Sequence, residues 1–406
     1  MQCKIINKLM RKIFWIISLL LTTLSCKKDI EFDYPLVFTG EVTNITKASA
    51  TFSAKITNHG KFPIIESGFI WGVHPNDNYG IKIKNKNTPD GVYSLITNES
   101  LLPNEKFYVR AYAQTEDATT YGNEVSFDSH EDEINIGSWL KIVDETGYSL
   151  EGAYLCFTIN DITYFSFWDG SFYSYDHNSK NFQYILTNDI LRYGRGISAT
   201  YNNLAYIFSV NSFYLFDPNQ LTFNKLSTIQ PEISFNLGFQ INNNIYVGFG
   251  YLNTNENNRE FWKYNINTDT WHQIALFPGD LLSNAFSFSI NGIGYVGGGR
   301  INTNWPGQKV IDLWSYDPVT DEWQQKKETP GVKLLGASAN FYGYGYYNSE
   351  LFEYNPTFDL WIKMAELTDP HATAISKLFE SKNKIFTIAV TEYMDTKYLQ
   401  LWVYEK

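Results

Sequence analysis

The sequence predicts an all-β protein in which a small antiparallel β-sandwich precedes a ring of six four-stranded antiparallel sheets. Three observations lead to this fold class. A hairpin with two aromatic residues seven positions apart recurs along the C-terminal two thirds of the chain. Aromatic residues make up 17% of the sequence and charged residues only 18%, which suits many short strands with stacked rings. No stretch after residue 30 shows sustained helical periodicity.

The clearest copy of the hairpin is DLWSYDPVTDEW, residues 312–323. Apolar runs flank a turn in which Asp317 accepts local hydrogen bonds and Pro318 fixes φ, so two short strands must pair across it. Tyr316 leads the motif and Trp323 follows seven residues later. The lead aromatic residues of the six copies are Tyr175, Phe216, Tyr264, Tyr316, Tyr354 and Tyr404. They are 38 to 52 residues apart, about the length of one four-stranded propeller blade.

A second hairpin precedes each copy and supplies the other two strands. In residues 286–299 the pair Asn291-Gly292 separates alternating apolar residues, which is a strong hairpin signal. The second strand ends in Gly297-Gly298-Gly299, and we interpret these glycines as positions where backbones approach closely. No helical pattern follows them, so they do not indicate a nucleotide-binding loop.

Together these features resemble the kelch-repeat β-propeller family. The resemblance covers residues 137–406 and is most specific in the repeats that contain Tyr264 and Tyr316. Segments 205–210 and 385–390 lack the family's glycine pair. The resemblance implies a six-bladed kelch-type β-propeller.

The ends of this repeat region complement each other. Residues 137–143, which contain Trp139, look like an outer strand without inner strands before it, and the repeat led by Tyr404 has no outer strand after it. We expect the 137–143 strand to complete the sixth blade, because such closure removes a free sheet edge.

The first 25 residues have the pattern of a signal peptide. Lys4, Lys8, Arg11 and Lys12 precede an apolar run at 13–24, which is too short to span a membrane. Thr23-Leu24-Ser25-Cys26 resembles a lipoprotein signal-peptidase site, with the leucine one place nearer the cysteine than usual. The resemblance implies a lipid on Cys26, a tether at 26–35 and an anchor in a Gram-negative outer membrane or at the cell surface. The charged run at 27–31 resembles surface-export signals.

Cysteine usage excludes two kinds of site. Cys3 leaves with the signal peptide and Cys26 carries the lipid, so only Cys156 remains in the folded protein. We therefore expect no disulfide, no thiolate metal site and a buried Cys156 that acts as a small hydrophobe. No metal or cofactor motif is present elsewhere.

Residues 36–128 are predicted to form the β-sandwich, and 129–136 a solvated linker in which His130 is exposed. Short alternating segments are separated by Asn, Gly and Pro turns. Residues 101–110 resemble the corner of fibronectin type III-like domains, with Phe107 where that family has a tyrosine. Trp71 is a candidate core residue.

Charge narrows the range of partners. The formal net charge is −11, and no basic run follows the start of the predicted mature chain. Such a surface repels polyphosphate, so we expect no nucleic-acid binding. We also expect a monomer.

Function is predicted to lie on the long connections at one face of the propeller. Aromatic residues beside arginines suit a glycan or an anionic sugar acid, since rings stack on sugar C–H groups and guanidinium groups bind carboxylates. The candidate ligand-binding residues are Arg192, Arg195, Arg259, Arg300, Trp305, His371 and Glu392.

Two functions remain open. The favoured hypothesis is a membrane-anchored extracytoplasmic module that binds a glycan or a protein partner. The alternative, implied by the kelch resemblance, is a cofactor-free sugar mutarotase or epimerase in which Asp369, Glu392 and Arg195 transfer protons. A copper-radical oxidase is excluded because the required cysteine and histidines do not fall at related points of the repeat, and no nucleophile elbow or zinc motif is present.

Overall fold

The computed structural model describes a chain built almost wholly from β-strands. The described residues are 33–78, 80–86, 91–146, 153–192, 197–209, 212–226, 233–234, 237–248, 251–252, 259–280, 282–283, 285–301, 308–331, 335–339, 341–369, 375–393 and 396–406. Within them the one helical element is a 3-10 turn, η1 (Asp189–Leu191). The predicted all-β class is confirmed. None of the described segments forms a helix long and apolar enough to cross a membrane.

The chain divides into two compact units, the first ending at Glu133 and the second beginning at Ile134. The strands of the first unit are β1 (Leu36–Thr39), β2 (Thr51–Asn58), β3 (Glu66–Gly72), β4 (Ile81–Lys84), β5 (Val92–Ile96), β6 (Lys106–Gln114), β7 (Thr119–Tyr121) and β8 (Val125–Asp128). They form two antiparallel sheets, β1-β2-β5 and β4-β3-β6-β7, and β8 also pairs with β6. The start of the predicted linker is held in this unit, since Ser129 N donates to Glu105 O at 2.9 Å.

An aromatic cluster joins the two sheets of the first unit. Phe52 of β2 lies 5.5 Å from Phe69 and 5.6 Å from Trp71, both of β3. Phe107 stacks on Phe127 at 5.5 Å and is fully buried. Trp71 is therefore a core residue, as predicted, and Phe107 is one as well.

The second unit contains the remaining strands. The first half comprises β9 (Ser138–Thr146), β10 (Ala153–Ile159), β11 (Ile162–Phe167), β12 (Ser171–Asp176), β13 (Asn181–Thr187), β14 (Ile197–Tyr201), β15 (Leu204–Ser209), β16 (Ser212–Asp217), β17 (Thr222–Lys225), β18 (Ile233–Ser234), β19 (Leu237–Ile241), β20 (Asn244–Gly248), β21 (Tyr251–Leu252), β22 (Phe261–Asn265) and β23 (Thr270–Gln273). The second half comprises β24 (Leu282–Ser283), β25 (Phe286–Ile290), β26 (Ile293–Gly297), β27 (Arg300–Ile301), β28 (Gln308–Lys309), β29 (Leu313–Asp317), β30 (Glu322–Lys326), β31 (Leu335–Ala339), β32 (Tyr342–Tyr347), β33 (Glu350–Asn355), β34 (Leu360–Glu366), β35 (Ile375–Ser381), β36 (Lys384–Tyr393) and β37 (Thr396–Glu405).

Among these strands are six four-stranded antiparallel sheets that follow one another along the chain. Their orders are β10-β11-β12-β13, β14-β15-β16-β17, β19-β20-β22-β23, β25-β26-β29-β30, β31-β32-β33-β34 and β35-β36-β37-β9. The first strands of successive sheets contact one another, and β35 also contacts β10. The inner strands therefore close a ring. The outermost strand of the last sheet comes from the start of the unit, since β9 pairs with β37 and Trp139 lies opposite Tyr404.

The aromatic pairs identified in the sequence are direct cross-strand partners. Tyr316 lies opposite Trp323 with ring centroids 5.0 Å apart. The same register places Phe216 opposite Phe223 at 4.8 Å. Tyr264–Trp271, Tyr354–Trp361 and Tyr175–Phe182 are also opposite each other. The recurring hairpin is thus confirmed residue by residue.

The core of the second unit lies between neighbouring sheets. Trp323 of the fourth sheet packs on Phe261 of the third at 5.0 Å, and Tyr316 lies 5.6 Å from Tyr246 of the third. Cys156 is buried between the first and last sheets, and burial raises the pKa of its thiol. Its predicted role as a small hydrophobe is confirmed.

Each four-stranded sheet has two chemically different ends. Tight turns join its first and second strands at one end and, in the first five sheets, its third and fourth strands at the same end. We call this end the turn face, which includes turns 160–161, 202–203, 291–292 and 382–383. The link between the second and third strands and the connection to the next sheet lie at the other end. We call that end the loop face, which includes residues 168–170, 188–192, 298–301 and 308–312.

Candidate functional site

Two small sheets extend the loop face above the third and fourth four-stranded sheets. One is the pair β18-β21 and the other has the order β24-β27-β28. In both, a strand of the connection between sheets pairs with the link between second and third strands. Arg300, a predicted site residue, therefore lies in the central strand of the β24-β27-β28 sheet, opposite Ser283 on one side and Lys309 on the other.

Glycine allows this extension to leave the fourth sheet. Gly298 and Gly299 have φ values of 61° and 100°, which residues with a side chain adopt at a cost. Gly298 N donates to Asp312 O at 3.0 Å, and Val310 N donates to Gly299 O at 3.0 Å. The β26–β29 ladder thus continues outward and carries Arg300 beyond the body of the sheet. The prediction that these glycines have a structural role agrees with this geometry.

The pairing of Arg300 with Lys309 concentrates positive charge on the loop face. Residues directly opposite each other in an antiparallel pair project from the same side of the sheet. Like charges in that position destabilise the pair. Lys309 is exposed and Arg300 is partly buried. A carboxylate bound here would be attracted by both cations, and the guanidinium could bind it through two hydrogen bonds.

A carboxyl group with a raised pKa lies at the base of the same extension. Burial raises the pKa of Asp312, and the negative charges of Glu328 and Asp280 raise it further. A carboxyl group with a raised pKa holds a proton more readily than an ordinary aspartate, which suits it to proton transfer. Asp312 was not predicted as a site residue. Only one feature of the sequence indicates a role for Asp312, which is its position. It stands immediately before a strand, and the connections on either side of it are rich in glycine or in acidic residues.

Arg259 lies over the neighbouring connection. Its side chain is exposed, and Nη1 donates to Gly279 O at 3.5 Å. The next residue, Asp280, is one of the charges that act on Asp312. Segment 279–280 therefore contacts Arg259 and places the charge of Asp280 near Asp312, so both residues belong to the same part of the loop face.

Arg192 belongs to a different part of the loop face, on the first sheet. Its Nε donates to Asp169 O at 3.2 Å, and its Nη2 lies 3.3 Å from Asp189 Oδ1. Trp168, beside that turn, is 40% exposed and offers a ring to which a sugar could stack. The structure thus separates Arg192 from Arg259 and Arg300, and it adds Trp168 as a residue that the sequence interpretation missed.

The structure describes only some of the other predicted site residues. Arg195, Trp305 and His371 lie outside the described residues. Glu392 is in β36 with Lys397 opposite it, and its side chain is outside the description. Asp369, a predicted proton-transfer residue, accepts from Lys141 Nζ at 3.2 Å. An ion pair with a lysine keeps a carboxylate ionised, so this contact makes Asp369 less suited to proton transfer.

Comparison with known proteins finds relatives whose names describe a sugar epimerase. Part of the chain is similar to N-acetylneuraminate epimerases. The Yersinia enterocolitica protein is 30% identical over 112 residues, which are 26% of this chain and 27% of that protein. The Vibrio cholerae protein is 31% identical over 108 residues, 25% and 27% of the two chains. The Pasteurella multocida protein is 30% identical over 112 residues, 27% and 28% of the two chains.

The match spans little more than a quarter of the length of these relatives. No protein-family model matches the chain. The similarity therefore supports the sugar-epimerase alternative in its general form, whereas the favoured hypothesis of a binding module stays a prediction.

Proposed function

We propose that the second unit binds an acidic sugar of the N-acetylneuraminate kind at its loop face and interconverts the sugar's anomers. The observation that carries the proposal is the pair Arg300 and Lys309, opposite each other on the β24-β27-β28 sheet. This pair suits a sugar carboxylate. The similarity of part of the chain to N-acetylneuraminate epimerases supports the same class of substrate.

The chemistry needs no cofactor. In a cyclic sugar, a base takes the proton of the anomeric hydroxyl while an acid protonates the ring oxygen, and the bond between the anomeric carbon and the ring oxygen breaks. Rotation and reclosure return both protons and give the other anomer. Asp312 can supply or take the proton, because burial and its acidic neighbours raise its pKa. Arg300 and Lys309 hold the carboxylate, which fixes the ring beside that group.

We further propose the architecture and the location in which this activity takes place. The six sheets are the blades of one kelch-type propeller, and the first unit is a fibronectin type III-like sandwich that spaces it from a lipid on Cys26. The closed ring of inner strands supports the first part, and the two aromatic-packed sheets support the second. The signal and lipid anchor at the outer membrane or cell surface rest on the sequence, because residues 1–32 lie outside the described residues.

Anomeric exchange measured by NMR tests the proposal. The purified protein is expected to accelerate exchange between the anomers of N-acetylneuraminate above the spontaneous rate. Arg300→Ala is expected to reduce that acceleration by roughly 100-fold, since a charge-assisted contact contributes about 1.5–3 kcal/mol. Lys225→Ala is the control, because it removes one exposed positive charge from β17, an outer strand of the second sheet.

The result also separates the two functions left open by the sequence. Acceleration that disappears in Arg300→Ala and persists in Lys225→Ala supports the epimerase. Binding of the acidic sugar without acceleration by the unmodified protein contradicts catalysis and supports the glycan-binding module instead. Acceleration that Arg300→Ala leaves unchanged moves the site away from the β24-β27-β28 sheet.

A further inference from the structure

A cavity lies on the turn face, between the fifth sheet (β31-β32-β33-β34) and the sixth (β35-β36-β37-β9). Its volume is about 470 Å³, within the range of small-ligand sites. Residues at the ends of both sheets line it, among them Ala339, Tyr342, Glu353, Asn383 and Lys406. It is separate from the loop-face site, because all these residues lie at the turn end of their strands.

A buried carboxylate organises this cavity. Glu353 is only 3% exposed, and both of its oxygens accept from Lys406 Nζ, at 2.8 and 2.9 Å. Tyr344 Oη donates to the same carboxylate at 2.8 Å. Burial, together with the Glu353 charge, raises the pKa of Tyr344, so the phenol stays protonated and keeps donating. Such full satisfaction is what a buried charge requires.

The remaining charges in the lining are also paired. Lys384 Nζ donates to Glu405 Oε1 at 2.9 Å, and Lys406 Nζ lies 5.6 Å from the centre of the Tyr342 ring. The positive charges of Lys384 and Lys406 therefore balance the negative charges of Glu353 and Glu405. The cavity presents hydrogen-bonding groups and tyrosine rings without a net charge, unlike the cationic pair on the loop face.

An exposed aromatic residue directly precedes the lining residue Tyr342 in the chain. Phe341 lies in the turn between the lining residues Ala339 and Tyr342, and it is 74% exposed. Its φ is 72°, in the left-handed region that a bulky side chain adopts only under strain. The corresponding turns of other sheets place small or polar residues with positive φ there: Asp161, Asn203, Gly292 and Asn383. A strained, solvent-exposed ring beside a cavity is a feature that a ligand can explain.

We propose that this cavity is a binding site for a neutral sugar unit. Phe341 provides a ring that stacks on the sugar's C–H face, while Asn383 and Lys384 bind its hydroxyl groups. The balanced charges disfavour an acidic sugar, which would meet Glu353 and Glu405 without a spare cation. The protein then has two carbohydrate sites of different charge on opposite faces of the second unit.

Saturation-transfer NMR and calorimetry of the full chain test this site. The probes are glucose, galactose and N-acetylglucosamine, with N-acetylneuraminate and methylammonium for comparison. Phe341→Asn restores the residue type that other turns carry, so it is expected to keep or raise the melting temperature while weakening neutral-sugar binding at least tenfold. Val319→Asn is the matched control, since Val319 is 91% exposed in a turn of the fourth sheet on the same face.

Each outcome decides for or against the site. Binding of a neutral sugar that weakens in Phe341→Asn and not in Val319→Asn supports it. No binding of any neutral probe, equal binding by Phe341→Asn, or preference for methylammonium over the sugars overturns it. The outcome is independent of the proposed epimerase, because Arg300→Ala should leave neutral-sugar binding unchanged and Phe341→Asn should leave anomeric exchange unchanged.

Discussion

A single aspartate oxygen ties neighbouring sheets together at the recurring hairpin. Asp321 Oδ1 accepts from Tyr316 Oη of the same hairpin at 2.8 Å. It also accepts from Ala275 N, in the connection that follows the third sheet, at 3.0 Å. Ala275 O in turn accepts from Trp323 Nε1 at 3.0 Å. Asp321 has a φ of 56°, which aspartate tolerates better than most residues.

The same arrangement recurs elsewhere in the ring. Tyr354 Oη donates to Asp359 Oδ1 at 2.6 Å, and Lys327 N donates to both oxygens of Asp359 at 3.0 Å. Tyr264 Oη donates to Asp269 at 2.8 Å. The hairpin therefore does more than bring two aromatic rings together. Its tyrosine hydroxyl positions the acid that receives the backbone of the preceding connection.

Removing that hydroxyl should destabilise the protein without touching the proposed sugar sites. Tyr316 is 2% exposed, so Tyr316→Phe leaves a charge-assisted hydrogen bond unmade and is expected to lower the free energy of unfolding by about 1.5–3 kcal/mol. Chemical denaturation measures the change. Tyr184→Phe is the control, because Tyr184 is 54% exposed and its hydroxyl reaches only Thr187. Equal losses in both variants would contradict the role of Asp321.

Residue types alone predicted part of this arrangement. The spacing of Tyr316 and Trp323 predicts their pairing, since a hairpin register follows from its turn. Trp323 also contacts Phe261 of the neighbouring sheet. The bond from Asp321 to Ala275 could not be predicted, because Ala275 belongs to another repeat and its position depends on how the sheets pack.

At the scale of elements, β9 determines how the last sheet ends. It runs antiparallel to β37 from Ser138 opposite Glu405 to Thr146 opposite Tyr398. Trp139 packs on Tyr404 at 5.7 Å, and Tyr404 Oη donates to Ile136 O at 3.0 Å. Without β9, the backbone groups along one side of β37 would lie at an open sheet edge, which favours aggregation.

Gly137 is the position at which this closure is most sensitive. Its φ is +67°, and an added Cβ would lie 2.5 Å from Glu405 O and 2.6 Å from the Tyr404 ring. Gly137→Ala is expected to destabilise the protein by about 1–2 kcal/mol through its left-handed backbone and by roughly 1–3 kcal/mol more through the clash. Hydrogen exchange should show faster exchange of β37 amides.

Gly292→Ala is the matched control for that variant. Gly292 has a φ of +81° and nothing within 4 Å of an added Cβ, so only the backbone cost applies. The β37 amides should exchange at the normal rate in Gly292→Ala. If Gly137→Ala behaves in the same way, the close approach to Tyr404 does not control closure.

Elements with strong sequence patterns were predictable and the small loop-face sheets were not. Alternation around Asn291-Gly292 predicts a hairpin, and the structure has β25 and β26 there. In contrast β24, β27 and β28 are two residues long each, too short for a periodic pattern. They exist because the extension from the fourth sheet meets the connection between sheets. Sequence reasoning could therefore place Arg300 and Lys309 on the same connection, but it could not predict that they lie directly opposite each other.

In the second unit, the two proposed binding sites lie at the ends of the four-stranded sheets, and many of the tyrosines are buried between the sheets. Strand pairing and aromatic packing depend mainly on residues that are close in the sequence. The fold class can therefore be predicted from composition and repeats. The candidate site follows from contacts between different repeats. Burial raises the pKa of Asp312, and the charges of Glu328 and Asp280, which lie in separate connections, raise it further. No local motif shows that these three acids are neighbours.

The buried tyrosines of the second unit should make its stability depend on alkaline pH. Burial raises the pKa of Tyr246 to about 12, and the charge of Asp321 adds to this. Burial also raises the pKa of Tyr295 to about 12, with the charge of Asp359 as the second cause. An unfolded tyrosine has a pKa of about 10. The unfolded state therefore loses its protons first as the pH rises.

The sign of the effect follows from that difference. Below about pH 10 both states are protonated and stability is unaffected by these groups. Between about pH 10 and 12 the folded state binds more protons than the unfolded state, so the free energy of unfolding falls as pH rises. Thermal unfolding from pH 8 to 11.5 should show this decline, and it should be shallower in Tyr246→Phe and Tyr295→Phe. The exposed control Tyr184→Phe should follow the unmodified protein, and identical slopes in all four proteins would show that burial of these phenols does not govern alkaline unfolding.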